Sequence, residues 1–86
     1  MGKDVANFEE LVIFSYSIRH LKKSDKIRFY YALKGRDGKS GVIKHYNIEQ
    51  IAKSVLLVLN KHEKEIEIFL GLWNCEFKKK RVWIKR

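Results

Sequence analysis

The sequence predicts an α+β domain in which one four-stranded antiparallel sheet is backed by two helices on one face. Two observations favour this class and the order helix, hairpin, helix, hairpin. Two stretches repeat apolar residues at helical spacing, and each is followed by a stretch of alternating apolar and polar residues. Two helices on one face of a single sheet would bury both apolar stripes. Because 86 residues allow one modest core, we expect a single domain over residues 1–86.

Residues 4–23 are predicted to form the first helix. Asp4 can cap its N-terminus, and the charges run from acidic at the start to basic at the end, which complements the helix dipole. The apolar positions at helical spacing are Phe8, Leu11, Val12 and Ile18. Ile13, Phe14 and Tyr16 make this segment apolar over more than one stripe, so a strand over residues 11–18 is the alternative.

The first hairpin is predicted over residues 27–46. Apolar and polar residues alternate over residues 27–34, a glycine-rich turn follows at residues 35–41, and residues 42–46 return as a shorter strand. The Gly-Lys-Ser of this turn resembles the end of a phosphate-binding loop. However, Leu33 stands where that loop needs glycine, and a strand rather than a helix is expected next. We therefore interpret the segment as a turn.

The second helix is predicted to begin at Asn47, with Gln50 three residues later completing a capping box. Its buried stripe is Ile48, Ile51, Ala52, Val55, Leu56 and Leu59, and basic residues mark its end near His62.

Residues 65–86 alternate strictly on both sides of a short break at residues 74–75, which predicts a second hairpin. The face expected to be core carries Ile66, Ile68, Leu70, Leu72, Val82 and Ile84. The opposite face carries Phe69, Trp73, Arg81, Trp83 and Lys85. A face that combines aromatic rings with cations and should meet solvent indicates a partner.

The net charge of +9 is the strongest feature of the composition. Cations crowded on a small fold repel one another, and a polyanion relieves that repulsion, so the charge favours nucleic acid over a merely solvated surface or an anionic membrane. A lone cysteine excludes an internal disulfide, and no apolar run approaches the roughly 20 residues of a membrane span. The N-terminus does not resemble a signal peptide. We expect a soluble, cytoplasmic protein with no membrane partner.

The sequence does not favour an enzyme, a metal site or a cofactor. The three histidines lie too far apart for a short metal-binding motif, and Cys75 has no histidine near it in sequence. Glu65 and Glu67 are expected on one strand face, where cross-strand pairing with lysine is more typical than acid–base catalysis.

The expected function is therefore non-enzymatic RNA binding, within a ribosomal or other ribonucleoprotein assembly that can include further proteins. Aromatic rings stack on unpaired bases and cations hold phosphates, with about 1–3 kcal/mol for each stacked base. The centre of the interface is predicted at Arg81, Trp83 and Lys85. The expected phosphate contacts are Lys34, Arg36, Lys39, Lys78, Lys79, Lys80 and Arg86.

Three alternatives remain at the level of sequence. The lysines near the C-terminus are also typical of an edge strand that is protected against aggregation. The protein could be an accessory subunit that docks on a protein complex through the face carrying Trp73 and Trp83, a reading that Leu57 and Val58 support by widening the apolar surface of the second helix. It could also bind duplex DNA with residues 35–41 as a hairpin wing.

The order of elements resembles the eukaryote-specific large-subunit ribosomal protein twenty-two family. The resemblance rests on Ala-Asn-Phe-Glu at residues 6–9 and on the strand expected at residues 66–73. It implies a small basic fold of helix, two strands, helix and two strands that binds ribosomal RNA hairpins without enzymatic activity. It also implies RNA contacts from Lys53 and Lys61 on the second helix. The sequence departs from the family at residues 57–58, where leucine and valine replace the expected cations.

Overall fold

The computed structural model describes residues 8–85. In chain order its elements are β1 (Phe8–Ser17), α1 (Lys23–Lys34), α2 (Val42–His45), β2 (Glu49–Ala52), β3 (Val55–Leu59), α3 (Glu63–Leu72) and β4 (Glu76–Lys85). The helix α2 is a single turn, and a 3-10 turn at Asn60–His62 connects β3 to α3.

The four strands form one antiparallel sheet in the order β2-β3-β1-β4. Apart from the short α2, the elements follow the strand–helix–strand–strand–helix–strand order of a ferredoxin-like arrangement. In this topology the first and last strands are neighbours. The pairing therefore brings both ends of the described chain together along one side of the sheet.

The strands β1 and β4 pair along their full length of ten residues, from Phe8 opposite Lys85 to Ser17 opposite Glu76. The pairing of β1 with β3 covers only the middle of β1, where the last pair is Leu11 with Leu59. Residues 8–10 and 83–85 therefore continue past the β3 pairing as a two-stranded extension, which we call the β1–β4 ribbon.

The core lies between one face of the sheet and the two long helices. On β1 and β3 it is formed by alternate residues, and on α1 and α3 by residues four apart, which is the spacing that each element needs to present one face. Its central members are Val12, Phe14, Tyr16, Leu56, Val58, Phe29, Leu33, Ile66 and Leu70. The α+β class, the four-stranded antiparallel sheet and the two helices on one face are confirmed.

The other face of the sheet, which we call the outer face, is aliphatic. The intervening strand residues point to this side because successive side chains alternate. They include Leu11, Ile13, Leu57, Leu59, Val82 and Ile84. Val82 and Ile84, which the sequence placed in the core, are partly buried here rather than packed under the helices.

The predicted helix–hairpin–helix order is present, but it is shifted along the chain and lies between β1 and β4. Residues 8–17 form a strand, so the alternative of a strand over residues 11–18 was the right interpretation and the helix over residues 4–23 was wrong. The cause is that β1 is apolar on both faces in its middle, and a strand buried on two sides reads as a continuous apolar run. Asp4 and the Ala-Asn pair at residues 6–7 lie outside the described residues.

The predicted first hairpin is replaced by helices. Residues 23–34 form α1, because Phe29 and Leu33 lie four residues apart and both pack into the core. Residues 35–41 connect α1 to α2 and join no pair of strands. A hairpin wing formed by this segment is therefore excluded as a basis for duplex DNA binding.

The predicted second helix is replaced by the hairpin of β2 and β3. The continuous apolar stretch of β3 is buried on both faces, with Val58 in the core and Leu57 on the outer face. Asn47 has a φ of 56°, the left-handed region, and does not cap a helix. Leu57 and Val58 therefore do not widen the apolar surface of a helix.

Residues 63–72 form α3 instead of the first strand of the second hairpin. Ile66 and Leu70 belong to the alternating positions of the predicted strand, but they are also four residues apart, and this second spacing brings both into the core. As a result β4 pairs with β1 and not with the segment that precedes it.

The connection between α1 and α2 closes tightly, and this gives a stability prediction. A Cβ atom added at Gly41 would lie 2.4 Å from the carbonyl oxygen of Leu33 and 2.5 Å from the nitrogen of Gly35. We expect Gly41→Ala to lower the free energy of unfolding by at least about 1 kcal/mol, because the backbone must shift to admit the methyl group. Urea denaturation measures the change.

Gly71 provides the matched control for this substitution. It lies in α3, and apart from the backbone of that helix no heavy atom of residues 8–85 lies within 4 Å of the position its Cβ would occupy. Gly71→Ala is expected to stabilise the protein by roughly 0.5–1 kcal/mol, the usual gain of alanine over glycine in a helix. Equal stability of the two variants would contradict the tight closure at Gly41.

Candidate nucleic-acid interface

The strand β4 lies at the edge of the sheet and carries cations on both of its faces. The face toward the helices presents Phe77, Lys79, Arg81, Trp83 and Lys85. The outer face presents Glu76, Lys78, Lys80, Val82 and Ile84. Arg81, Trp83 and Lys85 share one face of β4, as the alternation predicted, but that face is the one toward the helices and not the face opposite the core.

Two of these cations are paired with carboxylates of α3 and β1. The Lys79 Nζ atom lies 2.5 Å from Glu63 Oε2 and also donates to the carboxylate of Glu67. The Arg81 guanidinium lies 3.3 Å from Glu63 and 3.8 Å from Glu10. Lys79 and Arg81 therefore hold β4 against α3, and their charge is partly compensated within the protein.

The contact between Lys79 and Glu63 predicts a loss of stability in acid. The hydrogen bond from Lys79 holds the pKa of Glu63 below its usual 4.5. A carboxyl with a lowered folded-state pKa stabilises the fold above the unfolded pKa, and this contribution is lost as pH falls through the folded pKa. We expect Glu63→Gln to lower Tm at neutral pH, and the difference from the wild type to vanish in acid.

Glu65 serves as the control, because it lies on the same helix and is exposed with no carboxylate–cation contact among residues 8–85. Glu65→Gln should leave the acid dependence of Tm unchanged. The hydrogen bond to Glu63 also raises the pKa of Lys79 above its usual 10.5. The stabilisation that Lys79 contributes is therefore lost only as the pH rises through this raised pKa. A Tm difference for Glu63→Gln that is the same at every pH would contradict the pairing.

Trp83 lies on the β1–β4 ribbon and is 60% exposed. It is opposite Glu10, with Phe8 as its diagonal neighbour across the strands, where side chains about 7–8 Å apart by Cα can still meet. Phe8 is 38% exposed. Arg81 and Lys85 flank Trp83 on the same face. The ribbon therefore presents two exposed aromatic rings beside two cations.

The other aromatic residues that were expected beside Trp83 lie elsewhere. Phe69 and Trp73 belong to α3 and its C-terminal end, and their rings lie 5.6 and 5.5 Å from the ring of Phe29 in the core. Tyr30 also packs against Phe29. Trp73 precedes the start of β4, whereas Trp83 is near its end, so the two tryptophans do not form one docking face.

Lys78 and Lys80 lie on the outer face, opposite Ser15 and Ile13 of β1. Neither takes part in an ion pair with another described residue. No aromatic residue of the described strands points to this face. The base-stacking platform that RNA-binding four-stranded sheets carry on their central strands is thus missing from residues 8–85, and the exposed rings of the described strands are those of the ribbon.

The cations between α1 and α2 are not brought to β4. Asp37 Oδ1 accepts hydrogen bonds from the backbone of Lys39 at 2.8 Å and of Ser40 at 3.1 Å, and the Lys39 bond in particular holds the pKa of Asp37 below its usual range. Lys34 and Arg36 lie over the rings of Tyr30 and Tyr31. This segment leads into β2, the opposite edge strand.

The two lysines implied by the family resemblance do not lie on a helix face. Lys53 is in the turn between β2 and β3, and Lys61 is in the 3-10 turn before α3. Arg86 lies outside the described residues. The sequence reasoning singled out none of the cations of residues 19–28 as site residues. It placed the cations of residues 19–23 at the end of a helix, and it interpreted the segment from residue 27 as a strand. The cations of residues 19–28 are Arg19, Lys22, Lys23, Lys26 and Arg28.

Cys75 and His20 belong to residue types that often act in catalysis, but in this fold both make structural contacts. Cys75 is buried, and burial raises the pKa of its thiol, which lowers its reactivity. The His20 Nε2 atom is 2.8 Å from the carbonyl oxygen of Trp73. Within residues 8–85, no three His, Cys, Asp or Glu side chains come together as a metal site would require. No described helix has the length and apolar character needed to cross a membrane.

Comparison with protein-family models, with curated proteins and with solved structures gives no match for this chain. The resemblance to the ribosomal family therefore stays a prediction. The features that bear on function are the exposed Trp83 ring and the cations of β4.

Proposed function

We propose that this protein binds RNA without catalysing a reaction, and that it contacts the RNA through β4 and the β1–β4 ribbon. The observation that carries the proposal is the exposed ring of Trp83, with Arg81 and Lys85 on the same strand face. We further propose that it works in the cytoplasm as a component of a ribosomal or other ribonucleoprotein assembly.

The chemistry of the ribbon suits an unpaired base. A flat aromatic ring in solvent offers a stacking surface to any base, and a neighbouring cation neutralises the phosphate that precedes or follows it. Bases within a duplex are already stacked and cannot use such a ring. Single-stranded or looped RNA is therefore the preferred ligand class.

The lysines of the outer face extend the contact along the strand. Lys78 and Lys80 lie two residues apart, or roughly 7 Å along a strand, and are exposed. Because their charges are not compensated by described carboxylates, they remain available to phosphate groups. Lysines that only protect an edge strand against aggregation would be placed in the same way. RNA binding distinguishes the two roles, because only lysines that contact phosphate contribute to the affinity for RNA.

The salt dependence of RNA binding tests this contact. We expect the double variant Lys78→Ala/Lys80→Ala to bind single-stranded RNA more weakly, and to reduce the slope of log affinity against log salt by about 1.4, since each lost phosphate contact on a single strand contributes roughly 0.7. Fluorescence anisotropy of a labelled oligonucleotide at several salt concentrations measures both quantities.

The control is Lys44→Ala, a single exposed lysine on α2, which precedes the opposite edge strand. It should leave the salt slope unchanged. An unchanged slope for the double variant as well, with unchanged affinity, would remove β4 from the interface.

One observation favours a protein partner as a second candidate. Ile68 and Leu72 lie four residues apart on α3 and are 58% and 76% exposed. An accessory subunit could use this apolar pair to dock on another protein. In that case the isolated chain would self-associate in gel filtration, and a variant with serine at both positions would elute as a monomer with its RNA affinity unaltered.

A further inference from the structure

A basic cavity lies at the end of the sheet away from Trp83. It has a volume of about 420 Å³ and is formed where β1 ends, where α1 begins and where β2 turns into β3. Each of these three segments contributes one cation, namely Arg19, Lys26 and Lys53. The remaining described lining residues are Tyr16, Ser17, Ile18, Tyr30 and Ser54, so this part of the lining contains hydroxyl groups and no carboxylate.

The backbone holds these three segments in place. The Tyr16 N–H donates to the Ser54 carbonyl oxygen at 3.0 Å, which ties β1 to the turn between β2 and β3. The Gln50 side chain donates to the Lys53 carbonyl oxygen at 3.0 Å, across the same turn. The Arg19 N–H donates to Ser17 Oγ at 3.3 Å, which leaves the Ser17 hydroxyl proton available for another acceptor.

Tyr16 contributes to the same lining, and its hydroxyl is buried. Tyr16 is 5% exposed, and its hydroxyl has no hydrogen-bond partner in the part of the chain that the structure describes. A buried donor without a partner is unfavourable. Burial raises the pKa of Tyr16 to about 12.

None of the three cations of the lining is paired with a described carboxylate. The ion pairs between described residues join Lys79 and Arg81 of β4 to carboxylates of α3 and β1. Two acidic residues lie near this lining: Glu76 lines an adjacent cavity together with Arg19 and His20, and Asp25 precedes Lys26 in the first turn of α1. Three positive charges and several hydroxyl donors around one concave space are complementary to a small, multiply charged oxyanion.

We propose that this cavity binds a phosphate group. Arg19 supplies a planar fork of donors and the two lysines supply point charges, while Ser17 and Ser54 can donate to the remaining oxygens. The group can be the terminal phosphate of an RNA strand or a free phosphate or mononucleotide. The site goes beyond the proposed RNA contact at the ribbon and shares no residue with it.

Titration of the ¹⁵N-labelled protein with inorganic phosphate at constant ionic strength tests the site. We expect saturable shifts of the amide signals of Ser17, Arg19 and Ser54. Lys53→Ala is expected to weaken the affinity about tenfold, the loss of one charge-assisted contact. Arg19→Ala should do the same. Lys64→Ala, which removes an exposed lysine at the other end of the sheet, should leave the affinity unchanged.

Shifts that do not saturate, or equal affinities for Lys53→Ala and Lys64→Ala, would overturn the proposal. Oligonucleotides that carry either a 5′-phosphate or a 5′-hydroxyl then distinguish the source. Tighter binding of the phosphorylated strand, with the difference lost in Lys53→Ala, assigns the site to RNA termini. Equal binding of both strands, with mononucleotide still saturating the site, assigns it to small ligands. Trp83→Ala should leave the phosphate shifts intact, so failure at the ribbon and failure at this cavity are separable.

Discussion

Phe29→Ala is expected to lower the free energy of unfolding by about 3–5 kcal/mol, the range for truncating a fully buried aromatic residue. Phe29 is wholly buried, and its ring lies within 5.8 Å of the rings of Tyr16, Tyr30, Phe69 and Trp73. These residues come from β1, α1 and the end of α3. Removing the ring therefore opens a cavity where both helices meet the sheet.

Because domains of this size are marginally stable, with roughly 0.05–0.15 kcal/mol per residue, the alanine variant is expected to be largely unfolded at 37 °C. Phe29→Leu keeps an apolar side chain of similar size and should retain the fold with a lowered Tm. Ile27→Ala, two residues away on the solvent side of α1, should change stability little, since Ile27 is exposed. Thermal denaturation followed by circular dichroism compares the three variants. Equal losses for Phe29→Ala and Ile27→Ala would contradict the placement of Phe29 at the centre of the core.

Trp83→Ala is expected to weaken binding of single-stranded RNA by about 1–3 kcal/mol, the contribution of one stacked base, which corresponds to roughly 5- to 150-fold in affinity. The physical reason is that the ring is exposed and flanked by cations but contributes little to the core. The variant should therefore retain its Tm within about 2–4 °C, because surface substitutions usually change stability by less than about 0.5 kcal/mol and 1 kcal/mol shifts the Tm of a domain of this size by about 4–8 °C.

Two further variants make this result specific. Trp83→Phe keeps a stacking ring and should restore most of the affinity, and Lys85→Ala should weaken binding with an altered salt dependence. Tyr31→Ala removes a partly exposed ring on α1 and should leave RNA affinity unchanged. If the Trp83→Ala variant is unfolded, the Trp83 ring belongs to the core. A folded variant with wild-type affinity would remove Trp83 from the interface.

Much of the architecture was predictable because periodicity carries the relevant information. The alternation of residues 76–85 correctly predicted a strand with Arg81, Trp83 and Lys85 on one face. The class and the single sheet followed from the mixture of helical and alternating patterns. These features depend on local sequence alone, and local sequence was sufficient for them.

The exchange of helices and strands has a physical cause in residues that satisfy both patterns. In residues 63–72, Ile66, Ile68, Leu70 and Leu72 alternate as in a strand, while Ile66 and Leu70 also have the four-residue spacing of a helix. Tertiary packing selected the second spacing and left Ile68 and Leu72 in solvent. In β1 a strand was interpreted as a helix. Both of its faces are apolar, so the alternation of Val12, Phe14 and Tyr16 cannot be recognised in the sequence.

The candidate sites show the same division between local and global information. The cationic and aromatic face of the ribbon lies on one strand and could be predicted. The pairing of Lys79 and Arg81 with Glu63 requires α3 to lie beside β4, which no local pattern indicates. The cavity combines Arg19 with Lys26 and Lys53 through the meeting of three segments at one end of the sheet. Only the topology brings those residues together.

A protein whose single tryptophan is Trp83 shows whether this side chain contacts RNA. Trp73→Phe keeps an aromatic ring against Phe29 and leaves Trp83 as the sole source of tryptophan emission. Titrating this variant with single-stranded RNA at low and high salt should give saturable quenching whose midpoint rises steeply with salt. The reciprocal variant Trp83→Phe, which reports from Trp73, should show little quenching while it still binds. Unchanged Trp83 emission at low salt over the full titration would contradict a contact between Trp83 and RNA.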